Sequence, residues 1–152
     1  MALNQDYEGR VFPPDFIYEV GLEKIREFAT AIGDSNPAYH DVLAAQALGH
    51  RSLIAPPTFA YVISSRALEP VLADPGLGLD YSKVVHGEQR FSYVRPLVAG
   101  DRVQVTATLE RLRSAAGNDI ATVRSEVVDE AGELVVTTWG TLVARGTAEA
   151  GA

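Results

Sequence analysis

Residues 33–41 read GDSNPAYHD, and the interpretation of the whole chain starts from this stretch. Apolar residues precede it at the spacing of one helix face, at Ile25, Phe28, Ala29 and Ile32. Gly33 is a natural C-terminal stop for that helix. Asp34 and Asn36, next to Pro37, are ordinary turn formers by themselves. The pattern therefore predicts a helix that stops at Gly33 and a loop that leads out of it.

Two further helices are predicted after the loop. Residues 41–48 form a short helix that Gly49 closes. Residues 54–68 form a central, buried helix, because prolines open the run and apolar residues then recur at helical spacing. Before the first helix, residues 16–20 favour a strand, while Pro13 and Pro14 keep the leading arm out of regular structure.

From residue 84 onward apolar residues tend to alternate with polar ones, as in a sheet with one buried face. Short turns containing glycine separate the four predicted strands. These strands cover residues 84–94, 102–114, 120–129 and 134–145. Helices followed by long antiparallel strands indicate an α+β domain. We predict a single domain over residues 1–145 and a disordered tail over residues 146–152.

Composition narrows the possible functions. The chain has 152 residues, 47% of them apolar, which suits one globular domain. It has no cysteine, so disulfides, thiolate metal sites and thiol nucleophiles are excluded. The net charge is −7 and the basic residues are scattered, so nucleic acid is not an expected partner. We expect a cytoplasmic protein without a membrane span, because no run approaches about 18 consecutive apolar residues.

Sequence motifs with a known chemistry are few. We find no catalytic triad, no glycine loop for phosphate and no cluster with metal-ligand spacing. The sequence therefore predicts no metal and no cofactor.

The loop at residues 33–41 resembles the signature of the MaoC-like (R)-specific enoyl-thioester hydratases and dehydratases. Three later segments match the same family in the same order: APPTF at 55–59, HGEQRF at 86–91 and RPLVAGD at 95–101. In detail the chain is similar to the N-terminal MaoC-like dehydratase subfamily. That group includes the acyl-chain-holding subunits of the mycobacterial (3R)-hydroxyacyl-carrier-protein dehydratases.

The resemblance implies a hot-dog fold, in which a curved antiparallel sheet wraps around a long central helix. It also implies an acyl tunnel between sheet and helix, and a ligand that is an acyl-CoA or acyl-ACP thioester. The expected assembly is a homodimer, or a heterodimer with a catalytic MaoC-like subunit.

Hydration of an enoyl thioester needs a carboxylate and an imidazole that converge on one water, together with donors for the thioester oxyanion. The resemblance places the aspartate at Asp34 and the histidine five residues later, where this chain has Tyr39. His40 follows one position late, and Asn36 lies between them. Asp34, Asn36, Tyr39 and His40 are the candidate catalytic residues. With an ordinary pKa of about 10, Tyr39 would be a poor general base at neutral pH.

The predicted substrate-binding residues are Pro57, Thr58, Phe59, His86 and Gly87. In active relatives a glycine at the head of the central helix turns its N–H toward the thioester oxygen. Pro57 stands at that place and has no N–H, so the donor would be Thr58 or Phe59. The residues taken by themselves favour a packed or hydrogen-bonded structural role for His86, and a strand-end or turn role for Gly87.

Three functions compete. The first is an acyl-chain-binding subunit that pairs with a dehydratase subunit. The tyrosine at position 39, in place of the family's histidine, favours this function. The second is a self-sufficient hydratase or dehydratase that uses Asp34 and His40. The third is a hot-dog thioesterase, which ranks last because residues 57–67 contain no carboxylate.

Overall fold

Helices occupy the first half of the chain and long strands the second, in a computed structural model that describes residues 3–148. The helices are α1 (Leu22–Ala31), α2 (Val42–Ala47), α3 (Ala60–Ala67) and α4 (Glu69–Ala73). The strands are β1 (Val11–Phe12), β2 (Tyr18–Glu19), β3 (Val84–Tyr93), β4 (Arg102–Ala115), β5 (Asn118–Asp129) and β6 (Leu134–Ala144). Short 3-10 turns lie at Gln5–Tyr7, Pro37–Tyr39, Pro57–Phe59 and Tyr81–Lys83. The predicted α+β class is confirmed.

All strands belong to one antiparallel sheet in the order β1-β4-β5-β6-β3, and β2 also pairs with β4. The β4–β5 and β5–β6 connections are hairpins, so these three strands form a continuous meander. β3 crosses to the far side and pairs with β6. Within the described chain β3 therefore ends the sheet on one side, and the short strands β1 and β2 share the other edge.

The central helical segment is broken into pieces. A 3-10 turn at Pro57–Phe59 leads into α3, and α4 follows after Leu68. The regular α-helix is thus shorter than the predicted run over residues 54–68, although helical turns continue to Ala73. Pro70 explains the break, because it has no N–H to donate to the carbonyl one turn earlier.

The segment α3 lies against β4, β5 and β6 and supplies the centre of the core. Phe59 is 0% exposed, and its ring meets those of Phe28 and Tyr18 edge-on at centroid distances of 5.3 and 6.4 Å. On β4 the predicted alternation is visible, since Val103 and Val105 are buried while Gln104 is exposed. The inner face of the sheet and the helical segment therefore bury one shared apolar layer.

The leading arm forms less strand than the sequence predicts. Tyr18–Glu19 pairs with β4, but the strand does not extend to Phe16. The Phe16 ring instead contacts the guanidinium of Arg66, with 4.2 Å from the Arg66 Cζ to the ring centroid. A cation–π contact with α3 thus replaces strand pairing at this position.

The predicted disordered tail begins at Gly146, and residues 149–152 lie outside the described residues. The part that is described bonds to the β4–β5 hairpin: Gly146 N–H donates to Asn118 Oδ1 at 3.1 Å, and Ala148 N–H to the Gly117 carbonyl at 3.3 Å. Within residues 3–148, no helix has both the length and the apolar character needed to cross a membrane.

Candidate functional site

The loop at residues 33–41 starts from a tightly bonded helix end. Gly33 has φ +74°, a left-handed conformation that favours glycine. Its N–H donates to the Thr30 carbonyl at 3.1 Å, and the Asp34 N–H donates to the Ala29 carbonyl at 2.9 Å. This pair of bonds is a Schellman motif, which fixes the direction in which the chain leaves α1. Asp34 is therefore held by the helix end itself.

Two side chains then shape the loop from within. The Asp34 carboxylate accepts from the Asn36 N–H at 3.0 Å, and the Asn36 side-chain oxygen accepts from the Ala38 N–H at 3.1 Å. The second bond caps the 3-10 turn at Pro37–Tyr39. Asp34 and Asn36 thus act as turn formers, whichever further role they have.

Tyr39 and His40 point in different directions at the end of this turn. Tyr39 is buried, with 8% of its surface exposed, and lines a cavity under the loop. The His40 ring turns back, and its Nε2 lies 2.8 Å from the Asp34 backbone carbonyl oxygen. His40 and Asp34 therefore come together through the backbone of Asp34, while a phenol faces the cavity.

The contact of His40 decides its tautomer. A carbonyl oxygen can only accept, so Nε2 carries the proton and Nδ1 is the basic nitrogen of the neutral ring. Arg26 fixes the same residue from α1, since its Nε donates to the His40 carbonyl at 2.9 Å. The imidazole is thus held in one orientation relative to the loop.

The cavity beside Tyr39 has a volume of about 320 Å³. It is lined mainly by apolar groups, and we refer to it as the Tyr39 cavity: Tyr39, Ile54, Ala55, Pro57, Tyr93, Val94, Arg95 and Pro96. Burial raises the pKa of the Tyr39 phenol, and the nearby Asp34 carboxylate raises it further. Tyr39 is therefore a neutral hydrogen-bond donor or acceptor at neutral pH and does not serve as a base there.

The start of the central helical segment forms one wall of this cavity. Pro57 lines it, whereas Phe59 lies in the core and its N–H donates to the Pro56 carbonyl at 2.9 Å. Thr58 occupies the first turn, where an N–H has no acceptor within the helix. Of the two predicted oxyanion donors, Thr58 is the one that the helix geometry leaves available.

Tyr93 closes the cavity from the sheet side. Its hydroxyl donates to the Pro57 carbonyl at 2.5 Å, which joins β3 to the head of the helical segment. Burial raises the pKa of Tyr93 to about 12. A hydrogen bond from the Ala60 N–H to the same hydroxyl lowers this pKa, but its effect is smaller. This residue was not among the predicted site residues. The alternation along β3, which puts Phe91 and Tyr93 on one face, is the signal that could have found it.

His86 and Gly87 lie away from the Tyr39 cavity. His86 lines a second hollow, of about 480 Å³, which we call the His86 hollow: Phe28, Thr58, Tyr61, His86, Gln89 and Phe91. Its ring meets Tyr61 edge-on with centroids 5.5 Å apart. Gly87 sits at a register shift of β3, where an added Cβ would lie 3.1 Å from Val143 Cγ2. The structure therefore separates the predicted substrate-binding residues: Pro57 lines the Tyr39 cavity, Thr58 and His86 line the His86 hollow, and Phe59 lies in the core.

An ion network around the buried Asp101 carboxylate holds the segment that follows β3. Asp101 is 4% exposed and accepts from Arg51, from Arg95 at 2.8 Å and from the Val98 N–H at 2.8 Å. Arg95 also reaches Asp129 at 3.2 Å. The hydrogen bond to Asp101 raises the pKa of Arg95. Because Arg95 lines the Tyr39 cavity, this network fixes one edge of the site and balances its charge.

No metal site is evident in the part of the chain between residues 3 and 148, where no three His, Asp or Glu side chains are grouped as ligands. The Tyr39 cavity can bind an apolar ligand, and its phenol hydroxyls can form hydrogen bonds with a polar group of that ligand.

Comparison with known proteins identifies the family. The model of the FAS1-like, dehydratase domain region matches residues 7–138, which is most of the chain. The chain belongs to the FAS1-like dehydratase family. A UPF0336 protein of Streptomyces coelicolor is 61% identical over 150 residues, which cover 99% of this chain and 100% of that protein.

Two solved structures place this FAS1-like dehydratase chain among the MaoC-like dehydratases. The C-terminally truncated HadBC (3R-hydroxyacyl-ACP dehydratase) complex of Mycobacterium tuberculosis matches with a TM-score of 0.84 and 29% identity, covering 93% of this chain and 99% of that chain. A MaoC-like dehydratase matches with a TM-score of 0.87 and 33% identity. The match covers 93% of this chain and 43% of that longer protein. The predicted family and the hot-dog fold are both confirmed.

Proposed function

We propose that this chain binds the acyl part of a (3R)-hydroxyacyl or enoyl thioester, as the acyl-chain-binding subunit of a dehydratase complex. The observation that carries this proposal is the side chain that faces the cavity. Tyr39, a neutral phenol, occupies the place where catalysis needs a base. An apolar cavity of about 320 Å³ suits a ligand held by burial of its chain.

The proposed site assigns a role to each part of the cavity. The acyl chain lies against Ile54, Ala55 and Pro57, and the Tyr39 hydroxyl donates to a ligand oxygen. Asp34 and Asn36 support the loop through the turn bonds described above.

A catalytic partner completes the proposal. The solved HadBC structure is a complex of dehydratase subunits, which supports an assembly of this kind. β3 is ten residues long and ends the sheet of residues 3–148 on one side, and Val85 on it is 40% exposed. An exposed edge of this length can pair with a strand of a second subunit.

A self-sufficient hydratase is the second candidate, and one observation favours it. His40 is held against Asp34 with Nδ1 as its basic nitrogen, so the offset of one residue still brings an imidazole to the aspartate. In that case Asp34 and His40 would position the water. Asp34 and His40 are then catalytic, and Tyr39 only lines the cavity.

An assay of the isolated chain separates these two candidates. We expect no loss of enoyl-thioester absorbance when the chain alone is mixed with short or long trans-2-enoyl-CoA, and turnover only after a catalytic subunit is added. That turnover should survive Asp34→Ala. Asp15→Ala, an exposed carboxylate in the leading arm, is the matched control. Turnover by the lone chain that Asp34→Ala abolishes and Asp15→Ala retains would establish the self-sufficient enzyme instead.

Binding is tested at the cavity rim. Val94 lines the Tyr39 cavity and is 69% exposed, so a charge there should not unfold the chain. Val94→Asp is expected to weaken acyl-CoA binding about tenfold, because the chain would lie beside a carboxylate. Val11→Asp, on the opposite edge of the sheet, should leave the affinity unchanged. Equal affinities for the two variants, measured by calorimetry, would refute binding at this cavity.

A further inference from the structure

The two hollows lie side by side along β3. Phe91 lines the His86 hollow, and Tyr93, two residues on and on the same face, lines the Tyr39 cavity. On the helical side, Thr58 lines the His86 hollow and Pro57 lines the Tyr39 cavity. On the sheet side and on the helical side, residues that are close together in the sequence therefore line different hollows. The two hollows are separated by little more than these side chains.

That barrier is built around one side chain. The Tyr93 ring stacks on Phe91, with centroids 6.4 Å apart and an angle of 28° between the planes. Its hydroxyl crosses from the sheet to the helical segment and donates to the Pro57 carbonyl at 2.5 Å. The Tyr93 side chain, held at its ring face and at its hydroxyl, therefore spans the groove between β3 and the helix start.

We propose that Tyr93 determines the length of the acyl chain that the site accepts, by separating the Tyr39 cavity from the His86 hollow. This inference rests on the proposed acyl binding. With the ring in place, an acyl chain is confined to about 320 Å³. With the ring removed, the chain can continue into the further 480 Å³ of the His86 hollow. The combined space then falls in the upper part of the range of ~300–1,000 Å³ for ligand pockets.

The walls of the second hollow suit such an extension. Phe28, Tyr61 and Phe91 supply apolar ring surface, and Gln89 and His86 are its polar members. Each methylene that leaves water for an apolar wall raises the affinity about fourfold. A longer chain therefore gains affinity only if it can pass the position of Tyr93.

The test is a chain-length series. Butanoyl-, octanoyl-, dodecanoyl- and hexadecanoyl-CoA are titrated by calorimetry into wild type, Tyr93→Ala and Tyr93→Phe. For wild type we expect the affinity to rise and then level off along the series. For Tyr93→Ala it should keep rising, with a gain of about tenfold over wild type for hexadecanoyl-CoA and little change for butanoyl-CoA. Tyr93→Phe keeps the ring and loses the anchor, so its gain should be smaller and in the same direction.

Control variants make the outcome decisive. Tyr81→Ala removes an exposed tyrosine that lines neither hollow and should reproduce the wild-type series. Circular dichroism verifies that each variant is folded. A Tyr93→Ala series parallel to wild type, or a wild-type affinity that rises through hexadecanoyl-CoA, overturns the role of Tyr93 while leaving acyl binding intact. No binding of any acyl-CoA by wild type overturns the proposed function, and this inference falls with it.

Discussion

At the scale of single residues, the site depends on polar side chains with defined partners. Tyr93 and Asp101 are two of these, and each joins segments that are far apart in the sequence. Tyr93 connects β3 with the helix start, and Asp101 forms ion pairs with Arg51 and Arg95. Both are therefore expected to affect stability as well as binding.

Tyr93 should make the protein lose stability in alkali. Burial raises its pKa to about 12 in the folded chain, against 10.0 ordinarily, so the folded state disfavours the phenolate. The neutral Tyr93 phenol contributes fully to the free energy of unfolding below pH 10. This contribution is lost as the pH rises toward 12, because Tyr93 ionises at a lower pH in the unfolded chain than in the folded one. We expect a loss of the order of 2 kcal/mol in that window after allowance for partial exposure.

Urea unfolding of wild type and Tyr93→Phe between pH 9 and pH 12 measures this effect. The variant lacks the hydrogen bond to Pro57 at every pH, which gives a constant offset. The difference between the two proteins should shrink as the pH rises. Parallel stability curves over the whole window would contradict a raised pKa of the Tyr93 phenol in the folded chain.

Asp101→Asn should destabilise the chain by about 2 kcal/mol, since it removes the charge from a buried carboxylate that accepts hydrogen bonds from Arg51 and Arg95. The matched control is Glu130→Gln, whose 3.5 Å pair with Arg102 is exposed and should contribute less than about 1 kcal/mol. Chemical denaturation at pH 7 gives both values. Similar losses for the two variants would show that the Asp101 network is not a structural anchor.

At the scale of elements, the β4–β5 hairpin contains a strained backbone position that a substitution could relieve. Ala115 pairs with Asn118, so Ala116 and Gly117 form a two-residue turn, with φ of +51° and +77°. This is the geometry of a type I′ turn, in which asparagine is favoured at the first position. Alanine in the left-handed region costs about 1 kcal/mol.

Ala116→Asn is therefore expected to raise the free energy of unfolding by about 0.5 to 1 kcal/mol. Ala131 in the next hairpin loop has an ordinary negative φ, so Ala131→Asn should change stability by less than about 0.5 kcal/mol. Thermal unfolding of the three proteins compares them. A gain at residue 131 equal to that at 116 would point to a general effect of asparagine in loops.

The elements were also the most predictable part of the fold. α2 begins after Asp41, whose side chain caps it, and the predicted strands differ from β3 to β6 by one or two residues at their ends. Periodicity and turn residues are local properties, and these elements follow from them. The short pairing of β2 depends on contacts with the rest of the chain, since Phe16 packs against Arg66, so the predicted strand was too long. The regular helix begins later than predicted, because residues 57–59 form a 3-10 turn.

At the scale of the whole molecule, the outer edge of β3, which no strand of residues 3–148 covers, sets the expected assembly. We predict that two subunits pair through β3 and continue the sheet from one to the other. Val85→Lys should weaken this dimer about tenfold or more, because a lysine on an edge strand opposes pairing. Val11→Lys, on the opposite edge, is the matched control.

Sedimentation equilibrium over a range of concentrations measures this association. Dissociation by Val11→Lys rather than Val85→Lys would place the interface at β1. A wild-type chain that stays monomeric at every concentration, with and without a catalytic subunit, would refute pairing through either edge.

The sequence by itself determined the class of the fold and the strand pattern, because both rest on spacing along the chain, and its motifs indicated the family by resemblance. It also placed Asp34, Asn36, Tyr39 and His40 in one loop. Only the tertiary structure decided which of them faces the cavity. Arg26 from α1 and the Asp34 carbonyl hold His40, so Tyr39 is the residue turned inward. Tyr93 and Pro57 are 36 residues apart, and their hydrogen bond exists only because the sheet packs on the helix start. Spacing along a chain is local, whereas the shape of a cavity is set by contacts between distant segments.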